Sequence, residues 1–242
     1  MKNLANRKTA TRLLLINWAR FQHVTFRLEG STLITGVNGT GKSTILDAIS
    51  YLLTGNTKFN AAARDRDRTV QGYVRGDTRA NGAQRYLRGK DSVVSYIVME
   101  FWSPVERAYL LTGVCIESQL LNEHKPYWFV LTDTSLDQVE FARIEGNRLT
   151  VTPHNRLSVR GRTLKAADFL GRDQGIRQLM RALGLRCDAA KYRTKITKMM
   201  AFQPENNIDR FIQDCVLEPE ALNSFAEIRE MCFEFFMVRV LF

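Results

Sequence analysis

The chain has 242 residues, enough to bury one substantial hydrophobic core or at most two small ones. Its formal net charge is +10, its apolar share of 45% is that of an ordinary globular protein, and no apolar run approaches the ~20 residues that a membrane span needs. The N-terminus has no hydrophobic signal region, so we expect a cytoplasmic protein without membrane contact. The scattered cysteines and histidines predict reduced thiols and no metal-ligand cluster.

Three strands are predicted before the first helix. Residues 11–17 and 23–28 are rich in apolar and β-branched side chains, and the second stretch alternates between apolar and polar residues. Residues 31–35 form a shorter apolar run with the same character. The last of these strands leads directly into a glycine-rich loop.

That loop, residues 36–43, satisfies the phosphate-binding pattern G-x-x-x-x-G-K-[ST]. Its glycines let successive backbone N–H groups turn toward a phosphate, Lys42 is suited to the β- and γ-phosphates, and the Ser43 hydroxyl is suited to Mg²⁺. Apolar residues recur at helical spacing over 43–53, so a helix N-terminus points at the anion. An accidental glycine-rich turn is the alternative, but the setting favours a site for ATP and Mg²⁺. The predicted nucleotide-binding residues here are Gly36, Asn38, Gly39, Thr40, Gly41, Lys42, Ser43 and Thr44.

The remainder of the chain divides into a polar insertion, a strand-rich block and a helical end. Residues 54–92 lack apolar periodicity, so we predict a long exposed insertion. Residues 164–184 turn helical, with Ile176, Leu179 and Met180 on one face and Gly184 placed to end the helix. Between these segments an antiparallel meander is predicted, with strands at residues 93–101, 108–116, 127–132 and 139–144.

Basic charge is concentrated in two segments. Residues 58–90 carry nine basic and three acidic side chains, and residues 155–200 carry twelve basic and three acidic ones. Segregated positive charge is typical of a surface that neutralises nucleic-acid phosphates. We predict DNA contact through both segments, with a solvated basic face as the alternative.

Residues 14–21, 24–26 and 33–49 together resemble the N-terminal head of SMC-like ATPases, the MukB/SbcC/RecN-like superfamily. The Arg-rich segment 66–76 is most similar to the MukB-like SMC subunit of bacterial Wadjet anti-plasmid systems, the JetC type. The resemblance implies an α/β P-loop NTPase of the ABC-ATPase head type, with a mixed sheet, an antiparallel β-block and a helical C-terminal segment. It also implies that residues 1–215 form the N-terminal lobe of an ATP-binding head and that residues 216–242 begin a coiled coil. The implied partners are a second SMC-like head, DNA and kleisin-like subunits.

Further candidate residues lie outside the phosphate loop, and the same resemblance suggests two of them. Gln203 resembles the Q-loop glutamine that reaches Mg²⁺ and the attacking water, with an ordinary surface glutamine as the alternative. Arg20 lies where related heads place a basic residue near the nucleotide, with an exposed turn arginine as the alternative. Asp47, one helical turn beyond Ser43, is a candidate to orient the magnesium shell, with helix-surface solvation as the alternative. Three arginines, Arg64, Arg66 and Arg68, are candidates to contact either the γ-phosphate or DNA, with a solvated loop as the alternative.

SMC-like heads need a C-terminal lobe that carries a signature motif and the Walker B acidic pair. This chain has no LSGG-like signature and no apolar strand ending in Asp-Glu, so alone it is expected to bind nucleotide poorly and to hydrolyse it hardly at all. The apolar residues 231–242 lack a cap or polar tail. We therefore expect a chain cut short, as a fragment, a frameshifted gene or a cloning boundary.

Two other functions stay open at this point. A self-contained P-loop NTPase or kinase would need its own Walker B acid, and Asp133, which follows the apolar residues 128–132, is the candidate. Residues 132–135 are also ordinary turn chemistry. The other function is a DNA-binding module in which the phosphate loop is vestigial.

Overall fold

The structure is a computed structural model that describes residues 7–57, 59, 68–77, 86–89, 91–119, 123–146, 148–185 and 187–200. Four sequence-based predictions lie outside the described residues: Gln203, the coiled-coil start at 216–242, Arg64 and Arg66.

The centre of the fold is a five-stranded sheet in the order β2-β1-β3-β4-β5. Every pair of neighbours in it is antiparallel. Its strands are β1 (Thr9–Trp18), β2 (Phe21–Arg27), β3 (Val93–Ser103), β4 (Ala108–Ser118) and β5 (Lys125–Thr132). Strands β1 to β5 confirm the five predicted at those positions in the sequence.

Both faces of this sheet are covered. Leu13 and Leu15 of β1 are buried in a cluster with two helices, α1 (Lys42–Thr54) and α2 (Val70–Arg75). Leu14 and Ile16 are buried in a second cluster on the other face, with side chains from residues 136–169. Because both faces exclude water, β1 reads as a continuous apolar run rather than an alternating one. Residues 136–169, which cover this other face, form a second layer. It contains two small hairpins, β6 (Ala142–Glu145) with β7 (Arg148–Val151), and β8 (Ser158–Val159) with β9 (Arg162–Thr163).

The chain then forms two helices, α3 (Arg172–Ala182) and α4 (Ala189–Met200). The predicted apolar face of α3 is buried as expected, and Gly184 follows it with a φ of 76°. Helix α3 approaches β5 so closely that a Cβ on Gly175 would collide with the side chain of Trp128. Only glycine permits this packing distance without a shift of the backbone.

Two tryptophans hold the ends of α1 against the sheet. The indole N–H of Trp18 donates to the carbonyl oxygen of Thr44 in the first turn, at 3.1 Å. The indole N–H of Trp128 donates to the carbonyl oxygen of Leu52 in the last turn, at 3.2 Å. Both rings are buried, so each must find an acceptor, and the carbonyls of α1 provide one.

The predicted third strand is not formed. Residues 31–35 have no regular secondary structure, and none of the described strands pairs with them. A strand needs a neighbour to satisfy its backbone N–H and C=O groups, so an apolar run alone does not make one. The predicted mixed sheet is therefore wrong for the described part of the chain, where all strand pairs are antiparallel.

The predicted exposed insertion is also corrected. Within residues 54–92, α2 is folded into the core, with Val70, Tyr73 and Val74 buried against the sheet. The fourth predicted strand of the meander, at residues 139–144, instead begins the separate β6–β7 hairpin in the second layer. A 3-10 turn over Leu136–Gln138 redirects the chain before it can pair with β5.

Candidate nucleotide-binding site

The phosphate loop depends on backbone conformations that favour glycine. Gly36, Gly39 and Gly41 have φ values of 153°, 85° and 107°. A Cβ on Gly36 would lie 2.8 Å from the hydroxyl of Thr40, and a Cβ on Gly41 would lie 3.0 Å from the ring of Phe21. The loop therefore disfavours side chains at all three positions by backbone conformation, and at Gly36 and Gly41 also by space.

The loop ends at the N-terminus of α1 with hydrogen-bond donors oriented for an anion. Gly41 is the N-cap, and no side chain caps the first turn. The Lys42 ammonium donates to the carbonyl oxygens of Gly36 and Val37 at 2.6 and 3.0 Å, which places its charge across the mouth of the loop. The Thr40 hydroxyl donates to the Val37 carbonyl at 2.9 Å and closes the turn. Backbone N–H groups, helix dipole and ammonium together make a phosphate site.

A cleft of about 670 Å³ opens beside this loop. Seven of the predicted site residues line it: Arg20, Asn38, Gly39, Gly41, Lys42, Ser43 and Thr44. Gly36 and Thr40 are not among the lining residues and act on the shape of the loop instead. Arg20 reaches the cleft from the turn between β1 and β2, where its side chain is exposed.

The opposite wall of the cleft was missed from the sequence, apart from Arg68, which was a candidate to contact the γ-phosphate or DNA. It is formed by Arg68, by residues of the α2 region from Thr69 to Asp77, and by Leu87. The Thr69 hydroxyl accepts from the Gly72 N–H at 2.9 Å as an N-cap, and Gly76 ends the helix with a φ of 68°. A threonine cap, apolar residues at Val70, Tyr73 and Val74, and a terminal glycine were the available sequence signal for this helix. The backbone N–H of Ala19 donates to the Tyr73 carbonyl at 2.7 Å and ties this wall to the β1–β2 turn.

Asp47 is not the solvated helix-surface residue of the alternative prediction, because it is only 7% exposed. It is not among the residues that line the cleft, so any effect on the magnesium shell would be indirect, as the sequence suggested, and that role stays a prediction. Its Oδ2 accepts the hydroxyl proton of Tyr73 and an N–H of Arg68, the latter at 3.2 Å. Burial, with the hydrogen bond to Asp47 next, raises the pKa of Tyr73, so its phenol remains the donor.

Two arginines of the basic segment 58–90 point inward. Arg75 is fully buried and donates to the carbonyl oxygens of Gly89, Asp91 and Ser118 and to the Ser118 hydroxyl. Arg88 donates to the Asn17 side chain and to the carbonyl oxygens of Val74 and Ala19, at 2.8 to 3.0 Å. Burial lowers the pKa of Arg88 to about 10. These two side chains hold the insertion onto the sheet and are not available to DNA.

The other basic segment, residues 155–200, is oriented outward. Five of its side chains are exposed and have no hydrogen bond or ion pair within the described residues: Arg156, Arg162, Arg177, Arg181 and Lys191. Arg172 and Arg193 pair with Asp173, and Arg160 pairs with Asp133. DNA contact through this segment stays a prediction.

The proposal of Asp133 as a Walker B acid is contradicted. Asp133 follows β5 in a turn with a φ of 50°, its side chain is exposed, and an oxygen lies 3.7 Å from a guanidinium nitrogen of Arg160. It does not line the cleft at the phosphate loop. The turn chemistry of residues 132–135 therefore determines its place, because the chain must reverse at the end of β5.

Cys115 is buried and Cys187 is exposed, and both are free thiols. Within the described residues no group of three His, Cys, Asp or Glu side chains is arranged to hold a metal ion. No described helix is long and apolar enough to cross a membrane.

Comparison with known proteins agrees with the geometry of the loop. A family model described as the P-loop containing region of AAA domain matches residues 10–66, which include β1, β2, the phosphate loop and α1. A search of curated proteins gives no match. The matched region and the donors around the loop lead to one conclusion: the chain contains the nucleotide-binding region of an α/β P-loop NTPase.

Proposed function

We propose that this chain is the ATP-binding N-terminal half of an SMC-like ATPase that translocates DNA or acts in DNA repair or defence. The observation that carries the proposal is the one-sided phosphate site. Asn38, Lys42 and Ser43 face the cleft, whereas apolar side chains beside them face solvent. The exposed fractions are 58% for Leu33, 77% for Val37 and 45% for Leu46. Apolar surface of this kind beside a nucleotide site fits coverage by a second lobe.

Hydrolysis also needs a carboxylate that the described residues do not place at the loop. Among the described residues, Asp77 is the carboxylate that lines the cleft. It follows α2 in a loop, whereas a Walker B acid would end an apolar strand. Asp47 is committed to Tyr73 and Arg68. The proposal therefore assigns the water-activating acid and the signature motif to a C-terminal lobe, with a second head completing the ATP sandwich.

DNA is the proposed partner of the outward basic segment. Within the described residues, the exposed side chains of Arg156, Arg162, Arg177, Arg181 and Lys191 can neutralise phosphates without first losing a protein partner. Kleisin-like subunits, which the family resemblance implies, and a cytoplasmic location, expected from the absence of a signal region in the sequence, also belong to the proposal.

The nucleotide part is tested by calorimetric titration of the full chain with Mg-ATP. Wild type should bind weakly, and Lys42→Ala should lower the affinity about tenfold or more, since a charge-assisted contact contributes roughly 1.5–3 kcal/mol. Lys125→Ala, an exposed lysine at the start of β5, is the matched control and should bind as wild type does. Equal affinity of wild type and Lys42→Ala contradicts the proposal, as does rapid ATP turnover by the chain alone.

A further inference from the structure

Three side chains connect α1 to the far wall of the nucleotide cleft. Asp47 lies on α1, five residues after the phosphate-loop lysine, and Tyr73 lies on α2. Asp47 Oδ2 accepts from the Tyr73 hydroxyl and from Nη1 of Arg68, and Nη1 also lies 3.2 Å from the Tyr73 oxygen. The three groups form a closed triangle in which each contacts the other two.

The triangle commits only part of the Arg68 guanidinium. Nη1 makes the contacts to Asp47 and Tyr73, whereas Nε and Nη2 have no acceptor among the described residues. The side chain is 33% exposed and lines the cleft. A guanidinium held by one nitrogen presents its remaining N–H groups in a fixed direction, which suits a bidentate phosphate contact.

The charge of the cleft favours a polyphosphate at this position. Arg20, Lys42 and Arg68 line it from three directions, and Asp77 is the acidic residue among its lining. Asp47 does not line the cleft, so its charge stabilises Arg68 from behind. Positive charge on both walls raises the local concentration of an anion between them.

We propose that Arg68 binds the phosphates of the nucleotide from the wall opposite the phosphate loop, and that Asp47 and Tyr73 are the positioning residues that aim it. This inference rests on the proposed nucleotide site and assigns the arginine to nucleotide rather than to DNA. Tyr73 matters through its hydroxyl, because its ring is already packed between Trp18 and Phe59.

The test is titration of the full chain with Mg-ATP and, separately, with Mg-tripolyphosphate, which has no base or ribose. Arg68→Gln should lower the affinity for both by a similar factor, about tenfold. Arg143→Gln is the matched control, since Arg143 also pairs with a carboxylate but lies on the exposed β6 hairpin. A loss confined to ATP places Arg68 at the base or ribose and overturns the proposal.

The positioning role is tested through Tyr73→Phe, which keeps the ring and removes the hydroxyl. It should lower tripolyphosphate affinity about threefold in the wild-type background, on the scale of a neutral hydrogen bond, and should have no effect in the Arg68→Gln background. A purely structural role would produce the same loss in both backgrounds, and that result contradicts the positioning role. Asp47→Asn should behave like Tyr73→Phe if its melting temperature shows that it folds.

The outcomes separate this inference from the proposed function. If wild type binds neither ligand at millimolar concentration, both are wrong. If wild type binds and Lys42→Ala does not, but Arg68→Gln binds as wild type does, the phosphate site stands and only the role of Arg68 is wrong.

Discussion

The two basic segments of the chain have similar compositions and opposite structural roles. Among the described arginines of residues 58–90, Arg75 and Arg88 turn inward and donate to carbonyl oxygens, whereas Arg68 pairs with Asp47 at the wall of the cleft. In residues 155–200, most basic side chains remain exposed on α3, α4 and the β8–β9 hairpin. A count of charges therefore does not distinguish a binding surface from an internal anchor. The acceptors within reach of each guanidinium make that distinction.

The largest effect that tests this comparison is expected for Arg75→Ala. The substitution removes the arginine donor from three carbonyl oxygens and from the Ser118 hydroxyl in a buried site, and it opens a cavity. We expect a loss of about 3 kcal/mol or more in the free energy of unfolding, measured by urea denaturation. Arg177→Ala, the outward counterpart, should change it by less than about 0.5 kcal/mol. Similar losses for the two variants would contradict the assignment of Arg75 as an internal anchor and of Arg177 as an exposed surface residue.

Arg88→Ala should have the next largest effect. Its guanidinium bridges the Asn17 side chain, the Ala19 carbonyl and the Val74 carbonyl, and so joins the β1–β2 turn to α2. We expect a loss of about 2 kcal/mol, smaller than for Arg75 because the site is partly open to water. Because the same turn carries Arg20, Mg-ATP affinity should also fall. An unchanged unfolding midpoint would show that Arg88 is not an anchor.

DNA binding provides the third test, on the outward segment. The triple variant Arg177→Gln, Arg181→Gln and Lys191→Gln should weaken binding to a short duplex about tenfold. It should also lower the slope of log affinity against log salt by about one for each phosphate that the variant no longer neutralises. Fluorescence anisotropy at several salt concentrations measures both quantities.

The matched control for DNA binding is the triple variant Arg27→Gln, Arg143→Gln and Arg148→Gln, whose exposed side chains lie outside both basic segments. This control should leave the salt slope unchanged, because none of its three side chains belongs to the outward surface. Equal slopes for wild type and the Arg177, Arg181 and Lys191 variant would refute the DNA surface.

The smallest effect is expected in the pH dependence of unfolding, through a buried carboxylate that pairs with Arg12. Glu100 is buried and accepts from Arg12, Thr11 and the Leu136 N–H. Burial opposes its ionisation, but these hydrogen bonds outweigh burial and lower the pKa of Glu100. Its stabilising contribution is therefore present above pH 4.5, its ordinary value, and is lost as pH falls through the lowered folded-state value. The free energy of unfolding, measured by urea denaturation, should fall between neutral and acid pH, and this fall should be smaller in Glu100→Gln.

The sequence predicted those parts of the fold whose signals are local. The phosphate loop, β1 to β5 and the apolar face of α3 each carry their pattern within a short window. Residues 31–35 carried an equally clear strand pattern, yet strand formation also needs a neighbour, which a local pattern cannot report. The prediction of a mixed sheet was wrong for the same reason.

The candidate site also contains residues with a local sequence signal and residues without one. Residues 38–44 and Arg20 could be placed from the motif and the family resemblance. The wall formed by α2 could not, because its many arginines and glycines obscured a six-residue helix with a threonine cap. The role of Asp47 depends on Tyr73, which is 26 residues away, and such a contact is set by tertiary packing rather than by sequence spacing.

The two indoles that hold α1 give the protein its own optical probe. Trp18 and Trp128 are two of the three tryptophans in the chain, and each donates to a carbonyl at one end of the helix that begins at the phosphate loop. Trp18 also stacks against Tyr73, at a centroid distance of 4.5 Å. Any ligand that shifts the first turn of α1 must alter the surroundings of Trp18, so intrinsic fluorescence can follow occupancy of the cleft without a label.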